Sequence, residues 1–306
     1  MTTPETPATG PRIGFVGLGL MGHGMATNIL TKGYPLTGMA HRNRAPLEDL
    51  LSKGATEAAS IEDLARTSDI IFLCLTGSPE VAEVVARLKP GLAKGAVIVD
   101  CSTGEPTVTE RLATELAEIG VDYADAPLGR TPKEALAGTL DCMVGATPAV
   151  FARLLPVIQT WAGKIVHIGP VGDGHRMKLL MNFLSLGYGA LYAEVLTLSQ
   201  KVGISVETFD SVIRGGRMDC GFYQTFMGYT MEGNREAHKF TLSNAYKDMR
   251  YVEAMANAAV MPTQLSSAIK NSYALAMATG GNGPENYVPH LPDYIARASG
   301  LVRPET

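Results

Sequence analysis

Ile13-Gly-Phe-Val16-Gly17-Leu18-Gly19-Leu20-Met21-Gly22 decides the fold of this chain. The first four residues read as a buried strand, Gly-x-Gly-x-x-Gly follows at once, and a helical pattern runs from Gly22 to Thr31. In that setting the first glycine allows a tight turn, the second lets backbone approach a pyrophosphate, and the third packs helix close on strand, with the helix amides facing the anion. Gly17, Leu18, Gly19, Leu20, Met21 and Gly22 are therefore expected to bind a dinucleotide. Working outward, apolar runs at 13–17, 36–41, 70–75, 96–100, 121–126, 141–144 and 164–168 alternate with amphipathic stretches such as 79–88 and 107–119. That alternation predicts βαβ units and a largely parallel sheet, an α/β Rossmann-type N-terminal domain. From Gly174 the period changes: residues 174–202 form one long apolar pattern, and helical patterns continue to about 298. This predicts an all-helical C-terminal domain built on a long, buried interdomain helix. Gly169-Pro-Val-Gly-Asp-Gly174 punctuates the join, so the expected division is a disordered tail at 1–11, a nucleotide-binding domain at 12–170 and a helical domain at 171–306.

The balance of 26 Lys+Arg against 30 Asp+Glu leaves a formal charge of −4, which excludes a dedicated nucleic-acid binder. With 46% hydrophobic and 18% charged residues, the 306-residue chain can bury a sizeable core. No apolar run is expected to reach the roughly 20 residues of a membrane span. The opening residues lack the basic and apolar regions of a signal peptide, so the expectation is a soluble, cytoplasmic protein. Cys74, Cys101, Cys142 and Cys220 are scattered, which indicates neither a metal site nor a disulfide framework.

An NAD site places an acid about 20 residues beyond the glycine loop, at the end of the second strand. Here that position reads His41-Arg42-Asn43-Arg44, without a carboxylate. Two guanidinium groups suit a ribose 2′-phosphate, so NADP(H) is favoured over NAD(H). The alternative is that both arginines cap a solvated loop.

Further motifs follow in order: Asp100-Cys-Ser-Thr103 before Pro106, Asp125-Ala-Pro127, Ala137-Gly-Thr139, Gly169-Pro-Val-Gly172, Lys178 with Asn182, and Lys247-Asp248. With the glycine loop they resemble the β-hydroxyacid dehydrogenases, the family of 3-hydroxyisobutyrate dehydrogenase and tartronate semialdehyde reductase, over nearly the whole chain. The resemblance implies catalytic Lys178 and Asn182, Ser102 and Thr103 beside the substrate acid, Leu75, Thr76 and Lys247 on the cofactor side, and dimers or tetramers formed through the helical domain.

The residues also speak for themselves. Lys178 and Asn182 are four apart, so they share one helix face, and an ammonium there can stabilise and protonate a developing alkoxide. An exposed first-turn lysine is the alternative. Ser102 and Thr103 follow a strand at the sheet edge where open α/β folds bind ligands, or else cap the helix near Pro106. Lys247 pairs with Asp248 in the alternative reading, although neighbours on a helix point to different faces.

The chain departs from the family after Asp125-Ala-Pro127, where Val-Ser-Gly-Gly is usual and Leu128-Gly129-Arg130-Thr131 stands. This loop looks like the 3-sulfolactaldehyde reductase branch. A sulfonate is tetrahedral and permanently ionised, and gains from the forked donor of Arg130. Otherwise Arg130 faces solvent or pairs with Glu134. Met181 stands where many members have Asn, and Arg214 or Arg217 is a candidate second anion ligand. The function expected is an NAD(P)H-dependent reductase of a small anionic aldehyde, best 3-sulfolactaldehyde. Alternatives are a 3-hydroxyisobutyrate dehydrogenase, a succinic-semialdehyde, glyoxylate or tartronate semialdehyde reductase, an imine reductase, or a non-catalytic cofactor-binding scaffold. Lys178 argues against the last two, which generally lack that lysine.

Overall fold

Buried apolar quartets build the centre of the sheet: β1 (Ile13–Val16), β4 (Ile70–Leu73) and β5 (Val97–Asp100) are buried throughout. Strands covered on both faces read as continuous apolar runs, which is why they were legible. The computed structural model describes residues 10–301, so the expected tail, apart from Gly10 and Pro11, lies outside the described residues. The remaining strands are β2 (Leu36–Met39), β3 (Thr56–Glu57), β6 (Asp122–Asp125), β7 (Leu128–Gly129), β8 (Leu140–Gly145) and β9 (Ala162–Gly169), joined in the order β3-β2-β1-β4-β5-β6-β8-β7 with β9 on β8. Pairing is parallel from β3 to β6. Strand β8 runs antiparallel to β6 and β7. The two-residue strands β3 and β7 carry no periodicity and were not expected from the sequence.

Alternate residues enter opposite layers. Ile13, Phe15, Ile70, Phe72, Val97 and Val99 pack with Met25 and Ile29 of α1 (Gly22–Thr31). Leu50 of α2 (Ala45–Ser52) joins the same layer, apart from α3 (Ile61–Arg66). Ile71, Leu73 and Ile98 face Val81 and Val85 of α4 (Ser78–Leu88) and Leu112 of α5 (Pro106–Ala117). Helices α6 (Pro132–Ala137) and α7 (Pro148–Ile158) complete this unit, where Phe72 packs edge-on to the fully buried Trp161. Each such side chain contributes about 1.5–3 kcal/mol on burial.

The chain divides into compact units between Lys178 and Leu179, inside α8 (Asp173–Lys201), because that helix runs unbroken past the glycine-rich join. In the second unit Leu179, Leu186, Ala193 and Leu196 of α8 share a core with α10 (Gly221–Glu232), α11 (Leu242–Ala258) and α12 (Gln264–Ala278). Helices α9 (Val206–Ile213) and α13 (Leu291–Ala298) also contribute.

Helix α8 corrects two expectations. It is long and apolar enough, by length and composition, to cross a membrane. Nor is it wholly buried: Met177, Leu180, Met181, Leu184, Tyr188, Leu191 and Leu198 form an exposed stripe. A helix apolar all round gives no periodicity from which to read which face the core covers. The opposite face lies in the core of the second unit, with polar Asn182, Thr197 and Ser199 buried among apolar neighbours, as a core helix of a globular unit does.

Candidate active site

Gly17 follows β1 at φ +100, a left-handed conformation that favours glycine, and any Cβ there would strike the carbonyl of Cys74, the residue after β4. A Cβ on Gly22 would likewise collide with the Gly17 carbonyl, so the first turn of α1 presses on the loop. Beside Gly19 a Cβ would meet open space, and the residue before α1, Met21, gives its amides no side-chain cap. An open cradle at an uncapped helix N-terminus fits a dinucleotide pyrophosphate.

At the end of β2, His41 and Arg42 are exposed, and the Asn43 side chain accepts the Ala45 N–H at 3.1 Å. Arg44 is engaged: its Nη1 and Nη2 donate to Glu57 at 2.9 and 3.0 Å. Its guanidinium holds the Glu57 carboxyl below the usual range. The strand-end cluster therefore has a carboxylate, brought from β3, which the local sequence did not show. Arg42 makes no ion pair among the described residues.

Where β4 and β5 end, Ser102 is buried and its Oγ accepts the Leu75 N–H at 2.9 Å, tying the two loops together. Thr103 is half-buried and Thr76 exposed. The capping alternative for Ser102 and Thr103 does not hold: Glu105 precedes α5, and its N–H donates to Ser78 at 2.7 Å. The Ser102 N–H donates to Asp100 at 2.9 Å, and the Tyr123 hydroxyl donates to the same carboxylate at 3.0 Å. Burial beside that charge pushes the Tyr123 phenol well above its ordinary range.

Asp125, fully buried at the end of β6, accepts the N–H groups of Gly172 and His175, each at 2.7 Å. Burial raises its carboxyl above the ordinary value, against the pull of His175 and those amides. His175 is itself buried; its Nε2 lies 3.1 Å from the Ser102 carbonyl and its Nδ1 2.8 Å from Thr109 Oγ1. No local signal in the sequence singled out His175.

Gly129 is buried in β7, and Arg130 follows at φ +76, a left-handed position that a glycine adopts without strain. Its Nε donates to Asp141 at 2.9 Å rather than to Glu134. Glu134 instead accepts both the N–H and the hydroxyl of Thr131. Arg130 is about half exposed, and its ion pair with Asp141 is made through Nε.

Lys178 is half-buried on α8, one turn before Asn182. In the second unit the buried Asn182 donates from Nδ2 to Asp248 at 2.7 Å. Lys247 Nζ lies 3.2 Å from the other Asp248 oxygen. The adjacent pair does meet, because a lysine chain is long enough to fold back over its neighbour. Met181 is exposed. Arg214 is held by Asp210 through two bonds of 2.7 and 3.1 Å, and Arg217 is exposed.

A pyrophosphate cradle and a lysine-bearing helix in one chain are the equipment of a nicotinamide-dependent oxidoreductase. Residues 12–169 match the family model for the NAD binding domain of 6-phosphogluconate dehydrogenase, and residues 172–287 match that for the NAD-binding domain of NADP-dependent 3-hydroxyisobutyrate dehydrogenase. The chain belongs to the β-hydroxyacid dehydrogenase family, NAD(P)-dependent oxidoreductases acting on CH–OH groups. It is 29% identical over 271 residues to 3-sulfolactaldehyde reductase of Escherichia coli (strain K12), covering 88% of this chain and 91% of that one. To 2-(hydroxymethyl)glutarate dehydrogenase of Eubacterium barkeri it is 35% identical over 241 residues, 77% and 75% of the two chains. The fold is similar to that of Mycobacterium tuberculosis 3-hydroxyisobutyrate dehydrogenase solved with L-serine: TM-score 0.81 at 24% identity, over 92% of this chain and 99% of that one.

Proposed function

We propose that this protein reduces a small anionic aldehyde to its hydroxyacid with NADPH in preference to NADH, and that the aldehyde is 3-sulfolactaldehyde. The domain at 12–170 binds the dinucleotide, through the 17–22 loop, His41, Arg42, Asn43, Arg44, Leu75 and Thr76, and Lys247 is the cofactor-side lysine that the family resemblance implies. When bound, the nicotinamide supplies the hydride. Lys178 stabilises the alkoxide charge and donates its proton there; in the reverse direction its neutral amine accepts the hydroxyl proton. Asn182, with Nδ2 committed to Asp248, keeps Oδ1 as an acceptor on the helix face it shares with Lys178. Ser102, Thr103, Gly129, Arg130 and Thr131 hold the acid group.

The observation that carries the substrate is Arg130, oriented by Asp141 in a left-handed backbone conformation that is costly for an arginine. A cation maintained there at a cost suits a three-oxygen anion. The exposed, apolar Met181 and the 35% identity to 2-(hydroxymethyl)glutarate dehydrogenase favour a second reading, a carboxylated substrate. A panel of sulfonated and carboxylated aldehydes with NADPH and NADH separates them. We expect kcat/KM for 3-sulfolactaldehyde to exceed that for carboxylated analogues by about tenfold or more. A carboxylated aldehyde turned over as well or better hands the protein to the second reading.

Cofactor preference has its own test. Because Glu57 occupies Arg44 while Arg42 makes no ion pair among the described residues, Arg42→Ala is expected to raise the NADPH KM about tenfold. Arg44→Ala should raise it less, with NADH little changed in both. An equal NADH response in the parent protein would instead leave the ribose to His41 and backbone. The same reading takes the protein as a cytoplasmic homodimer or homotetramer assembled through the helical domain, supported by the exposed stripe of α8.

A further inference from the structure

We propose that His175 is a positioning residue, which ties the Ser102 loop to the first turn of α8 and so sets where Lys178 projects, with Asp125 as its anchor. The inference rests on the reading of Lys178 as proton donor. Asp125 clamps the start of α8 by accepting the Gly172 and His175 amides, both at 2.7 Å. From that first turn the imidazole reaches back to the end of β5. A carbonyl only accepts, so Nε2 carries the proton and donates to Ser102 O at 3.1 Å, while Nδ1 meets Thr109 Oγ1 at 2.8 Å.

The surroundings are shaped to admit this ring. A Cβ on Gly104 would lie 2.7 Å from His175 Cε1 and 2.9 Å from Nδ1, and one on Gly174 would lie 2.8 Å from an Asp125 oxygen. An apolar side chain would fill the same volume without the desolvation cost of a fully buried imidazole. What the imidazole adds is a direction: it locks the loop carrying Ser102 against a helix on which Lys178 stands three residues further, about 4.5 Å along the axis. A displacement of about 1 Å in such a group can cost on the order of 100-fold in rate.

His175→Gln, His175→Asn, Gly104→Ala and Lys178→Ala are compared in one assay, with NADPH affinity measured by titration calorimetry. The Gln amide nitrogen takes the place of Nε2, so His175→Gln should keep kcat within about threefold. Asn is too short to reach the Ser102 carbonyl; His175→Asn should lose about 10- to 100-fold in kcat, with NADPH affinity within about twofold of the parent. Gly104→Ala, which leaves the histidine intact but pushes its ring aside, should follow the Asn variant and carries the comparison if that variant fails to fold. Equal kcat in the Gln variant and in the Asn or Ala variant overturns the proposal, as does a loss that appears in NADPH affinity. Normal turnover in Lys178→Ala overturns the reading beneath it. An inactive Lys178→Ala beside a fully active His175→Asn overturns the positioning role alone.

Discussion

Lys178→Ala is expected to lower kcat by about 100- to 10,000-fold, the range that a positioned general acid contributes. The loss should fall on kcat and kcat/KM together, because the ammonium acts on charge that develops only in the transition state. NADPH affinity should stay nearly unchanged, since the cradle from Gly17 to Gly22 is built by β1, the end of β4 and the first turn of α1. Single-turnover kinetics with calorimetric cofactor binding check both halves. Near-normal turnover at saturating aldehyde would remove Lys178 from the chemistry and leave the proton to another donor.

Arg130→Gly is expected to lower kcat/KM for a sulfonated aldehyde by roughly 10- to 100-fold while leaving a carboxylated one far less affected. Only the tetrahedral anion uses the added guanidinium donors; loop amides and hydroxyls remain for a planar acid. The substitution does not strain the fold, because Arg130 sits at φ +76 and glycine adopts that conformation freely. Relief of about 1 kcal/mol is set against the larger unfolded-state entropy of glycine, so the melting temperature should move by no more than about 3 °C. Equal losses for both substrates would make Arg130 a general anion clamp. No loss for either would leave it a surface ion pair with Asp141 and favour the carboxylate reading.

By itself the sequence determined the strand–loop–helix at Ile13 to Gly22, the parallel centre of the sheet, the helical second half and the family. These features are local or periodic: fully buried strands such as Ile70–Leu73 are continuous apolar runs, and the glycines at 17 and 22 answer to contacts made within one supersecondary unit and its neighbouring strand. Only the tertiary structure decided which polar groups meet. Glu57 reaches Arg44 because β3 pairs beside β2, and Asp141 reaches Arg130 because β8 runs antiparallel to β7. The clamp of Asp125 on the start of α8 spans 47 and 50 residues of chain, and the bond from Asn182 to Asp248 spans 66. Likewise, the exposed side of α8 was hidden in a pattern apolar on every face. Hydrogen bonds and ion pairs are short-ranged and directional, so a partner fixed by strand order rather than by spacing leaves no mark in the local sequence.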